Sequence, residues 1–348
     1  MKKKILITGN LGYVGTVLSK YIKYREPKTY IVGYDTGFFK DDLIVKKFND
    51  DLYVDEQIYG DVRKFNYKNL SDIHSIIHLA AISNDPMGNL FEEETFNINC
   101  DSVIEISKRA IDCNIKNIVF ASSCSIYGDG GNHIKNEKDL TNPLTSYAKS
   151  KIKAEEELVK LSGETNITIL RFATACGSSP RLRLDLVLND FVASALIKGE
   201  IIVLSDGSPL RPLVDVLDMS KSILWSISDS RIKENKILTI NVGRDDANYS
   251  IKELAYNVQK IINTSKVKIN TNASPDKRSY KVNFDYYKKL ANNFQLETSL
   301  HKSINNLNNT IKPNLASLQD FRNNKFMRLN KLKFLLSEKK INNKLYWI

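Results

Sequence analysis

Short apolar runs alternate with amphipathic stretches along the first half of the chain. Six apolar runs have the length of strands and lie at residues 4–7, 29–35, 57–62, 75–81, 116–123 and 166–173. The stretches at 92–113 and 146–161 instead repeat apolar residues every three or four positions, as helices do. Such alternation is typical of a parallel sheet with helices on both faces. We therefore predict an α/β fold whose ligand crevice lies at the carboxyl ends of the strands.

The pattern is looser after residue 173. Helices are predicted there at 184–198 and 251–262, a strand at Ile237–Val242, and a short strand with a turn within 199–212. One or two helices are expected within 315–348, with packing residues at Leu332, Leu335, Leu336 and Trp347. We predict a first domain over residues 1–173, to which segments near 213–245 return. Residues 174–348 mainly form a smaller lobe and the last helices.

Charge is unevenly distributed along the chain. The formal net charge is +11, and residues 301–348 carry eight lysines and two arginines against two acidic residues. A solvated basic helix accounts for this surplus without a partner, and docking on an anionic surface is the alternative. Because the first 300 residues carry a net charge of only +3, we predict no nucleic-acid partner.

Composition is that of an ordinary globular protein, with 42% hydrophobic and 26% charged residues. The apolar runs are far shorter than the roughly 20 residues of a membrane span. The segment Met1-Lys2-Lys3-Lys4 leads directly into the first strand run, without the pattern of a signal peptide. The four cysteines, at positions 100, 113, 124 and 176, lack the spacing of a metal site. We predict a cytoplasmic protein with reduced thiols, no membrane segment and no metal.

Three glycines follow the first strand run and precede a helical pattern. The segment reads T-G-N-L-G-Y-V-G, and its predicted ligand contacts are Thr8, Gly9, Leu11, Gly12, Tyr13, Val14 and Gly15. Glycines at a strand-to-helix turn let the backbone approach a pyrophosphate, and the helix N-terminus offers free N–H groups to it. This arrangement predicts a dinucleotide site on a doubly wound parallel sheet of Rossmann type.

A carboxylate at the end of the second strand run distinguishes the two nicotinamide dinucleotides. Asp35 lies about twenty residues after the glycine loop, where a carboxylate accepts from a ribose 2′-hydroxyl and repels a 2′-phosphate. No basic residue stands at 36–39 to neutralise such a phosphate, which favours NAD over NADP. Asp61 and Val62 end the third strand run, and Asp61 is a weaker candidate for the adenine amine.

Tyr147 and Lys151 are four residues apart on a predicted helix and therefore share one face. A free tyrosine has a pKa of about 10. A lysine cation beside it favours the phenolate, so that the tyrosine can act as a general base. The strand run at 116–123 ends at Ser123, whose hydroxyl can orient a substrate hydroxyl for Tyr147. These three side chains predict an acid–base site beside a nicotinamide.

Together these motifs resemble the extended short-chain dehydrogenase/reductases that act on nucleotide-sugars. The resemblance rests on T-G-x-x-G-x-x-G at 8–15, H-L-A-A at 78–81, S-S-x-S-x-Y-G at 122–128 and the Y-x-x-x-K pair. It implies that Ser123, Tyr147 and Lys151 are catalytic, with Tyr147 as the acid–base group and Lys151 on the ribose. It also implies cofactor-site residues at Leu79, Ala80, Ala81 and Asn99. A homodimer through a four-helix bundle, built from 92–113 and 146–161, is a further implication.

Three arginine-bearing segments follow residue 173. A guanidinium suits a diphosphate because its planar fork bonds two oxygens at once. The resemblance implies that Asn189, Arg211 and Arg278 contact the pyrophosphate of a nucleoside-diphosphate sugar. The other substrate contacts that we expect are Ser83, Asn84, Ser123, Thr174, Arg181 and Arg183.

The resemblance implies NAD-dependent epimerisation of such a sugar through a 4-keto intermediate, in the supply of polysaccharide precursors. A C4 dehydrogenase or ketoreductase is the alternative. Dehydratases of the family carry an Asp-Glu pair where this chain has Cys124 and Ser125, which disfavours dehydration. The epimerase-reductases that make GDP-fucose also carry a cysteine in this stretch, but Cys124 is offset by one position from it. A non-catalytic NAD-sensing or RNA-associated protein is the most remote alternative, because Ser123, Tyr147 and Lys151 are all present.

Overall fold

The computed structural model describes residues 3–45, 48–50, 53–161, 163–228, 231, 236–273 and 279–348. Their strands are β1 Lys4–Thr8, β2 Tyr30–Asp35, β3 Glu56–Tyr59, β4 Ser75–His78, β5 Asn117–Ser123, β6 Asp129–Lys135, β7 Asn166–Phe172, β8 Thr174–Cys176, β9 Glu200–Val203, β10 Leu210–Asp215, β11 Ile237–Val242, β12 Asn248–Ser250, β13 Lys266–Ile269 and β14 Ser279–Val282. Their helices are α1 Tyr13–Arg25, α2 Asp85–Leu90, α3 Glu92–Phe96, α4 Ser102–Asp112, α5 Ser146–Leu158, α6 Val187–Lys198, α7 Val216–Ser226, α8 Ile251–Ile261, α9 Asp285–Leu290, α10 Leu300–Ile311 and α11 Arg328–Ser337.

Seven parallel strands form one sheet in the order β11-β7-β5-β4-β1-β2-β3. The chain leaves β1 toward β2 and β3, and then returns to add β4 on the opposite side, so the strand order reverses between β1 and β4. The crevice of a doubly wound sheet opens at such a reversal, at the carboxyl ends of the strands. Here Thr8 and His78 are paired at that point. The predicted α/β fold of Rossmann type is confirmed.

The strands of this sheet are apolar because helices cover both of its faces. One face packs with α1 and α7 around Ile7, Leu18 and Ile223, and the other packs with α4 and α5 around Ile76, Ile106 and Leu158. All six side chains are buried. The strand at Ile237–Val242 pairs with β7 along its whole length, so a segment from late in the chain completes the sheet.

The stretch at 92–113 was expected to be one helix, and the structure divides it. A π-helical turn at Asn97–Asp101 separates α3 from α4. Such a turn displaces side chains relative to an α-helix and is common at functional sites. It contains Asn99, whose fully buried side chain bonds two neighbouring segments of the candidate site.

The smaller lobe has its own apolar core between α6, α8 and α10, with Leu188, Leu254 and Leu307 fully buried. The basic segment at 301–348 is not solvated along its whole length. Its apolar side chains are largely buried, whereas most of its lysines are exposed. Leu332 and Leu335 of α11 are buried against Met87 and Phe91 of the larger domain. Alternation of apolar and basic residues along this segment therefore reflects a helix with one buried face. Across the part of the chain that the structure describes, every helix is too short or too polar to span a bilayer.

Candidate active site

A cavity of about 740 Å³ lies between the sheet and the smaller lobe, at the carboxyl ends of β1, β4 and β5. Its walls come from the glycine loop, the end of β2, α5, the loop that precedes α6, and α11. Most of the residues predicted as ligand contacts line it, namely Gly9, Gly12, Tyr13, Val14, Gly15, Asp35, Asp61, Val62, Leu79, Ala80, Ala81, Ser83, Asn84, Ser123, Tyr147, Lys151, Thr174, Arg183 and Arg211. Residues far apart in the chain therefore share one space.

The glycine loop leaves its backbone open toward the cavity. Gly9 has a φ of +75°, and a Cβ atom there would lie 2.6 Å from the backbone nitrogen of Ala80. Only glycine permits both the turn and this approach. Helix α1 then begins at Tyr13, and no side chain of the described residues caps its first turn. Its N–H groups and positive dipole end suit a phosphate. Thr8 supports the loop from below, because its buried hydroxyl accepts a hydrogen bond from Ala80.

Asp35 is held in place at the end of β2 by two backbone donors. Its carboxylate accepts from the Leu11 N–H at 3.1 Å and from the Gly37 N–H at 2.8 Å. Burial raises the pKa of Asp35, and these two hydrogen bonds oppose that effect. Leu11 is itself buried beneath the cavity wall, so it orients Asp35 through its backbone. The remaining acceptor capacity of the carboxylate faces the cavity, where a ribose hydroxyl can donate to it.

Asp61 and Val62 lie at the same end of the sheet. The Asp61 carboxylate accepts from the Arg63 guanidinium at 2.6 and 3.0 Å and from the Arg63 backbone N–H at 2.9 Å. Most of its acceptor capacity is therefore used inside the protein, and Val62 offers an apolar surface beside it.

Ser123, Tyr147 and Lys151 meet where β5 and α5 adjoin the cavity. Thr145 caps α5 by accepting from the Ala148 N–H, which places Tyr147 in the first turn. The Lys151 ammonium donates to the Ala121 carbonyl at 2.8 Å and lies 5.8 Å from the centre of the Tyr147 ring. The predicted catalytic trio is thus assembled by a strand end and one helix face.

Burial dominates the electrostatics of this trio. It raises the pKa of Tyr147 to about 12, although a hydrogen bond with Ser123 opposes the shift. It lowers the pKa of Lys151 to about 7, although the negative charge of Glu155 opposes that shift. Burial therefore outweighs whatever Lys151 contributes, and the expected lowering of the Tyr147 pKa by this lysine stays a prediction. A low dielectric disfavours both charged forms, and a cation that approaches Tyr147 would favour its phenolate.

Buried polar groups brace the trio from behind. The Asn99 amide bonds both backbone groups of Ile82 at 2.9 Å and donates to the Ser150 hydroxyl at 3.1 Å, which joins the loop after β4 to α5. Asn99 is not among the residues that line the cavity, so its contribution is positional. Glu155, one turn after Lys151, pairs with Arg171 at 2.7 Å and accepts from the Ser122 hydroxyl. These contacts fix α5 against β5 and β7.

Arg183 is the central cation on the lobe side. It forms a two-pronged pair with Asp185 at 2.9 and 2.8 Å and donates to the Ser83 hydroxyl at 2.9 Å. Asn84 donates to the same carboxylate and caps α2 by accepting from the Met87 N–H. Ser83, Asn84 and Arg183 therefore form one hydrogen-bonded group on the cavity wall, and their role in substrate binding stays a prediction.

Arg211 and Thr174 line the cavity near Tyr280, whose ring lies 5.7 Å from the Arg211 guanidinium.

Two other residues that we predicted to contact substrate do not line the cavity. Arg181 is 1% exposed and binds Asp50 at 2.9 and 2.6 Å. Asn189 is fully buried and bonds the backbone of Gly177 and Arg183. Because neither residue lines the cavity, the structure does not support direct substrate contact for them. Arg278 lies outside the described residues.

Several residues of the cavity wall were missed by sequence reasoning, and three of them carry polar groups that matter to the site. Arg328 of α11 is buried near Arg183, and its guanidinium lies 4.2 Å from the centre of the Phe39 ring. Ser125 places a buried hydroxyl oxygen there that has no hydrogen-bond partner among the described residues. Tyr280 follows the arginine-bearing segment near 278, which was a usable signal. Ser125 belongs to the S-S-x-S-x-Y-G motif at 122–128, which was a signal too, whereas Arg328 gave none, because an isolated arginine occurs on any surface.

Comparison with known proteins places this geometry in a family. Residues 5–243 match the model of the NAD dependent epimerase/dehydratase family. A putative UDP-glucose 4-epimerase of Methanocaldococcus jannaschii is 28% identical over 72% of this chain and 79% of its own length. A UDP-N-acetyl-alpha-D-glucosaminuronate decarboxylase of Bacillus cytotoxicus is 25% identical over 76% and 82%. The structure of MoeE5 in complex with UDP-glucuronic acid and NAD superposes with a TM-score of 0.75 at 20% identity, covering 89% of this chain and 99% of that one.

Proposed function

Because the chain belongs to the NAD dependent epimerase/dehydratase family, and is therefore an NAD-dependent enzyme, we propose that it epimerises a nucleoside-diphosphate sugar at carbon 4. One observation carries the proposal. The acid–base trio of Ser123, Tyr147 and Lys151 shares a single cavity with a dinucleotide-type glycine loop and with Arg183 and Arg211. A cavity with those two kinds of wall suits two diphosphate ligands that meet at a reactive hydroxyl.

The residues on the sheet side fit NAD. The close approach of Gly9 to Ala80 and the uncapped start of α1 leave room and donors for a diphosphate. Asp35 supplies the acceptor for a ribose hydroxyl, and its charge disfavours a 2′-phosphate. Leu79, Ala80 and Ala81 provide an apolar wall between this region and Tyr147.

Tyr147 is the group that we assign to proton transfer. Ser123 orients the substrate hydroxyl, and the Tyr147 phenolate removes its proton as carbon 4 becomes a ketone. NAD supplies the hydride acceptor when bound, and its oxidised nicotinamide ring would add a positive charge that favours the Tyr147 phenolate. Lys151, whose pKa lies at about 7, adds a second cation when it is protonated. Tyr147 then returns the proton when the ketone is reduced.

Arg183, Arg211 and Tyr280 are the residues that we assign to the sugar nucleotide. The two guanidiniums suit its diphosphate, and the Tyr280 ring lies against Arg211. Arg183 also bonds Ser83, next to the wall that carries the catalytic trio. Ser125 and Thr174 complete the polar lining near the sugar.

Dehydration is the family reaction that this cavity supports least. It needs a carboxylic acid pair to move protons at neighbouring carbons, and this chain has Cys124 and Ser125 after Ser123. The Cys124 thiol is fully buried and donates to the Arg171 carbonyl. Burial also raises its pKa. It is therefore neither acidic nor directed at the substrate, and the likeness to enzymes with a catalytic cysteine is not supported by its position.

A homodimer through α3–α4 and α5 is part of the proposal. The two helical units pack side by side, and their outward faces carry exposed charges of both signs, at Glu105 and Arg109 and at Lys149 and Lys153. We expect a dimeric mass by light scattering, and Lys153→Glu to weaken the association.

A panel of sugar nucleotides tests the activity directly. The protein is incubated with NAD and UDP-, GDP-, CDP- or dTDP-sugars, and the products are followed by mass and by the absorbance of reduced nicotinamide. We expect a product of unchanged mass and new retention time, without accumulation of reduced nicotinamide. Loss of two hydrogens would identify a dehydrogenase instead, and loss of water a dehydratase. Tyr147→Phe serves as the inactive control.

A further inference from the structure

Part of the cavity wall in the smaller lobe is apolar, and we call it the apolar strip. It is formed by the start of α6, by β9 and the residue after it, and by the start of α8, namely Val187, Phe191, Ile202, Leu204 and Ile251. Leu204 is 77% exposed and Ile202 is 40% exposed, so the strip leaves apolar surface uncovered. Uncovered apolar surface inside a cavity suits the face of an aromatic ring.

One backbone contact relates the apolar strip to the arginine that we assign to the diphosphate. The Ile251 N–H donates to the Pro209 carbonyl at 3.0 Å, and Arg211 follows two residues later on β10. The proposed function, on which this inference rests, puts the diphosphate on Arg211 and the sugar on Tyr147. The nucleoside then extends in the other direction, away from the sheet, and the apolar strip is the wall that its base meets.

Asp190 adds a carboxylate to this apolar part of the cavity wall. It lies three residues after Val187 in α6, so that the two side chains share one face of the helix, and both line the cavity. The Ser194 hydroxyl donates to it at 3.1 Å, and one nitrogen of Arg322 lies 3.0 and 3.1 Å from its two oxygens. These two partners hold the carboxylate in one orientation.

The Asp190 carboxylate can accept further hydrogen bonds from a ligand. Its side chain is 21% exposed, and a carboxylate offers about four acceptor positions, more than Ser194 and Arg322 use. Burial raises the pKa of Asp190, and the charge of Arg322 opposes that shift. Two N–H groups of a ligand would stabilise the charged form in the same way that Arg322 does.

The bases found in sugar nucleotides differ in what they offer to a carboxylate. Guanine presents its N1–H and its 2-amino group side by side, and both can donate to one carboxylate at the same time. Cytosine presents only its 4-amino group, beside a ring nitrogen that is an acceptor. Uracil and thymine present one N3–H between two carbonyl oxygens, which a carboxylate repels. A carboxylate at the edge of a base site therefore favours guanine.

We propose that Asp190 selects guanine, with the face of the base against the apolar strip and its N1–H and 2-amino group on the carboxylate, so that the substrate is a GDP-sugar. Ser194 and Arg322 are positioning residues in this arrangement, because they orient Asp190 and do not line the cavity. The proposal narrows the nucleoside-diphosphate sugar of the proposed function to one base and leaves the sugar open.

The test measures the binding of nucleoside diphosphates without any sugar. GDP, IDP, CDP, UDP and dTDP are titrated into the protein by calorimetry, with saturating NAD so that the dinucleotide site is filled. IDP is the sharpest probe, because its base is guanine without the 2-amino group. We expect GDP to bind to the parent protein at least tenfold tighter than each of the other four, which is the effect of one charge-assisted hydrogen bond.

Two variants assign the preference to the carboxylate. Asp190→Asn keeps the size of the side chain and removes its charge and one acceptor, so the affinities for GDP and IDP should come within twofold of each other. Asp246→Asn is the control, because Asp246 also pairs with an arginine, Arg244, but does not line the cavity. It should keep the tenfold preference. Far-UV circular dichroism and melting temperature report whether each variant is folded.

Three results would overturn the proposal. They are UDP or dTDP binding within twofold of GDP on the parent protein, an Asp190→Asn protein that still prefers GDP over IDP tenfold, and an equal loss of affinity for both, which a purely structural role predicts. If Asp190→Asn is not folded, the order of the five diphosphates on the parent protein decides. Turnover of a UDP-sugar would refute the base assignment and support the epimerase. GDP binding without turnover of any sugar nucleotide would do the reverse.

Discussion

The two walls of the cavity are built in different ways. On the sheet side, the functional groups stand at strand ends or on one helix face, as Asp35 does after β2 and as Tyr147 and Lys151 do on α5. On the lobe side, Arg183 and Arg328 come from segments far apart in the chain, and each is positioned by contacts with other segments. The sheet wall follows from local geometry, whereas the lobe wall follows from tertiary packing.

Two neighbouring arginines show what this difference means. Arg181 and Arg183 are separated by one residue, and both were expected to contact substrate. Arg183 lines the cavity, while Arg181 is directed at Asp50 and at the carbonyls of Phe39 and Lys40. A position in the sequence does not determine which way a side chain points in a loop. On a helix or strand it does, because the backbone has a fixed period.

Removal of the Tyr147 hydroxyl should give the largest effect and tests the sheet wall. We expect Tyr147→Phe to lower kcat by about 10² to 10⁴-fold, the usual contribution of a positioned acid–base group. NAD content should be unchanged, because the glycine loop and Asp35, which we assign to the dinucleotide, are intact in this variant. Turnover is measured on the sugar nucleotide that the panel identifies. Tyr24→Phe, at an exposed tyrosine outside the cavity, is the control, and a Tyr147→Phe protein with full turnover would refute the mechanism.

The contrast between the two arginines gives the next largest effect. Lysine keeps the charge and loses the planar fork. We expect Arg183→Lys to raise KM for the sugar nucleotide about tenfold, the equivalent of one charged hydrogen bond of roughly 1.5 kcal/mol. Arg181→Lys should leave KM unchanged and lower the free energy of unfolding by about 2 kcal/mol, because two backbone carbonyls and Asp50 lose donors.

Steady-state kinetics and urea unfolding of both proteins measure these effects. An Arg181→Lys protein whose KM rises as much as that of Arg183→Lys would show that the two side chains share a role, against their observed directions. The pair therefore tests whether a position on the cavity wall distinguishes binding from structural arginines in this lobe, since both are buried and paired with a carboxylate.

The fold, the family and the cofactor were predictable because their signals are local. A strand, three glycines and a helix lie within the first 25 residues, and Asp35 and Tyr147 stand at fixed points of regular elements. The π-helical turn at Asn97–Asp101 was not predictable, because its apolar spacing resembles that of an α-helix. The packing of 326–348 was not predictable either, since it depends on Thr36 and Arg63, about 300 residues earlier in the chain.

The smallest expected effect is on the pH dependence of stability. It arises on the sheet wall, from His78, which lies near Lys151. Burial and then the charge of Lys151 lower the pKa of His78 to about 3, from about 6.5 in an unfolded chain. Between those two values the unfolded chain binds the proton and the folded one does not, so stability falls as the pH falls from 6.5 toward 3. At pH 5.5 the loss from this residue is about 1.4 kcal/mol.

Replacement by asparagine removes this titration. We expect the melting temperature of His78→Asn to fall less between pH 7 and 5.5 than that of the parent protein, whatever its absolute value at pH 7. His133→Asn, at an exposed histidine near Asp139, should keep the slope of the parent. Equal slopes in all three proteins would mean that His78 is protonated in the folded state. That result would require a solvated environment behind Lys151, and the dry sheet wall inferred from its burial would then be incorrect.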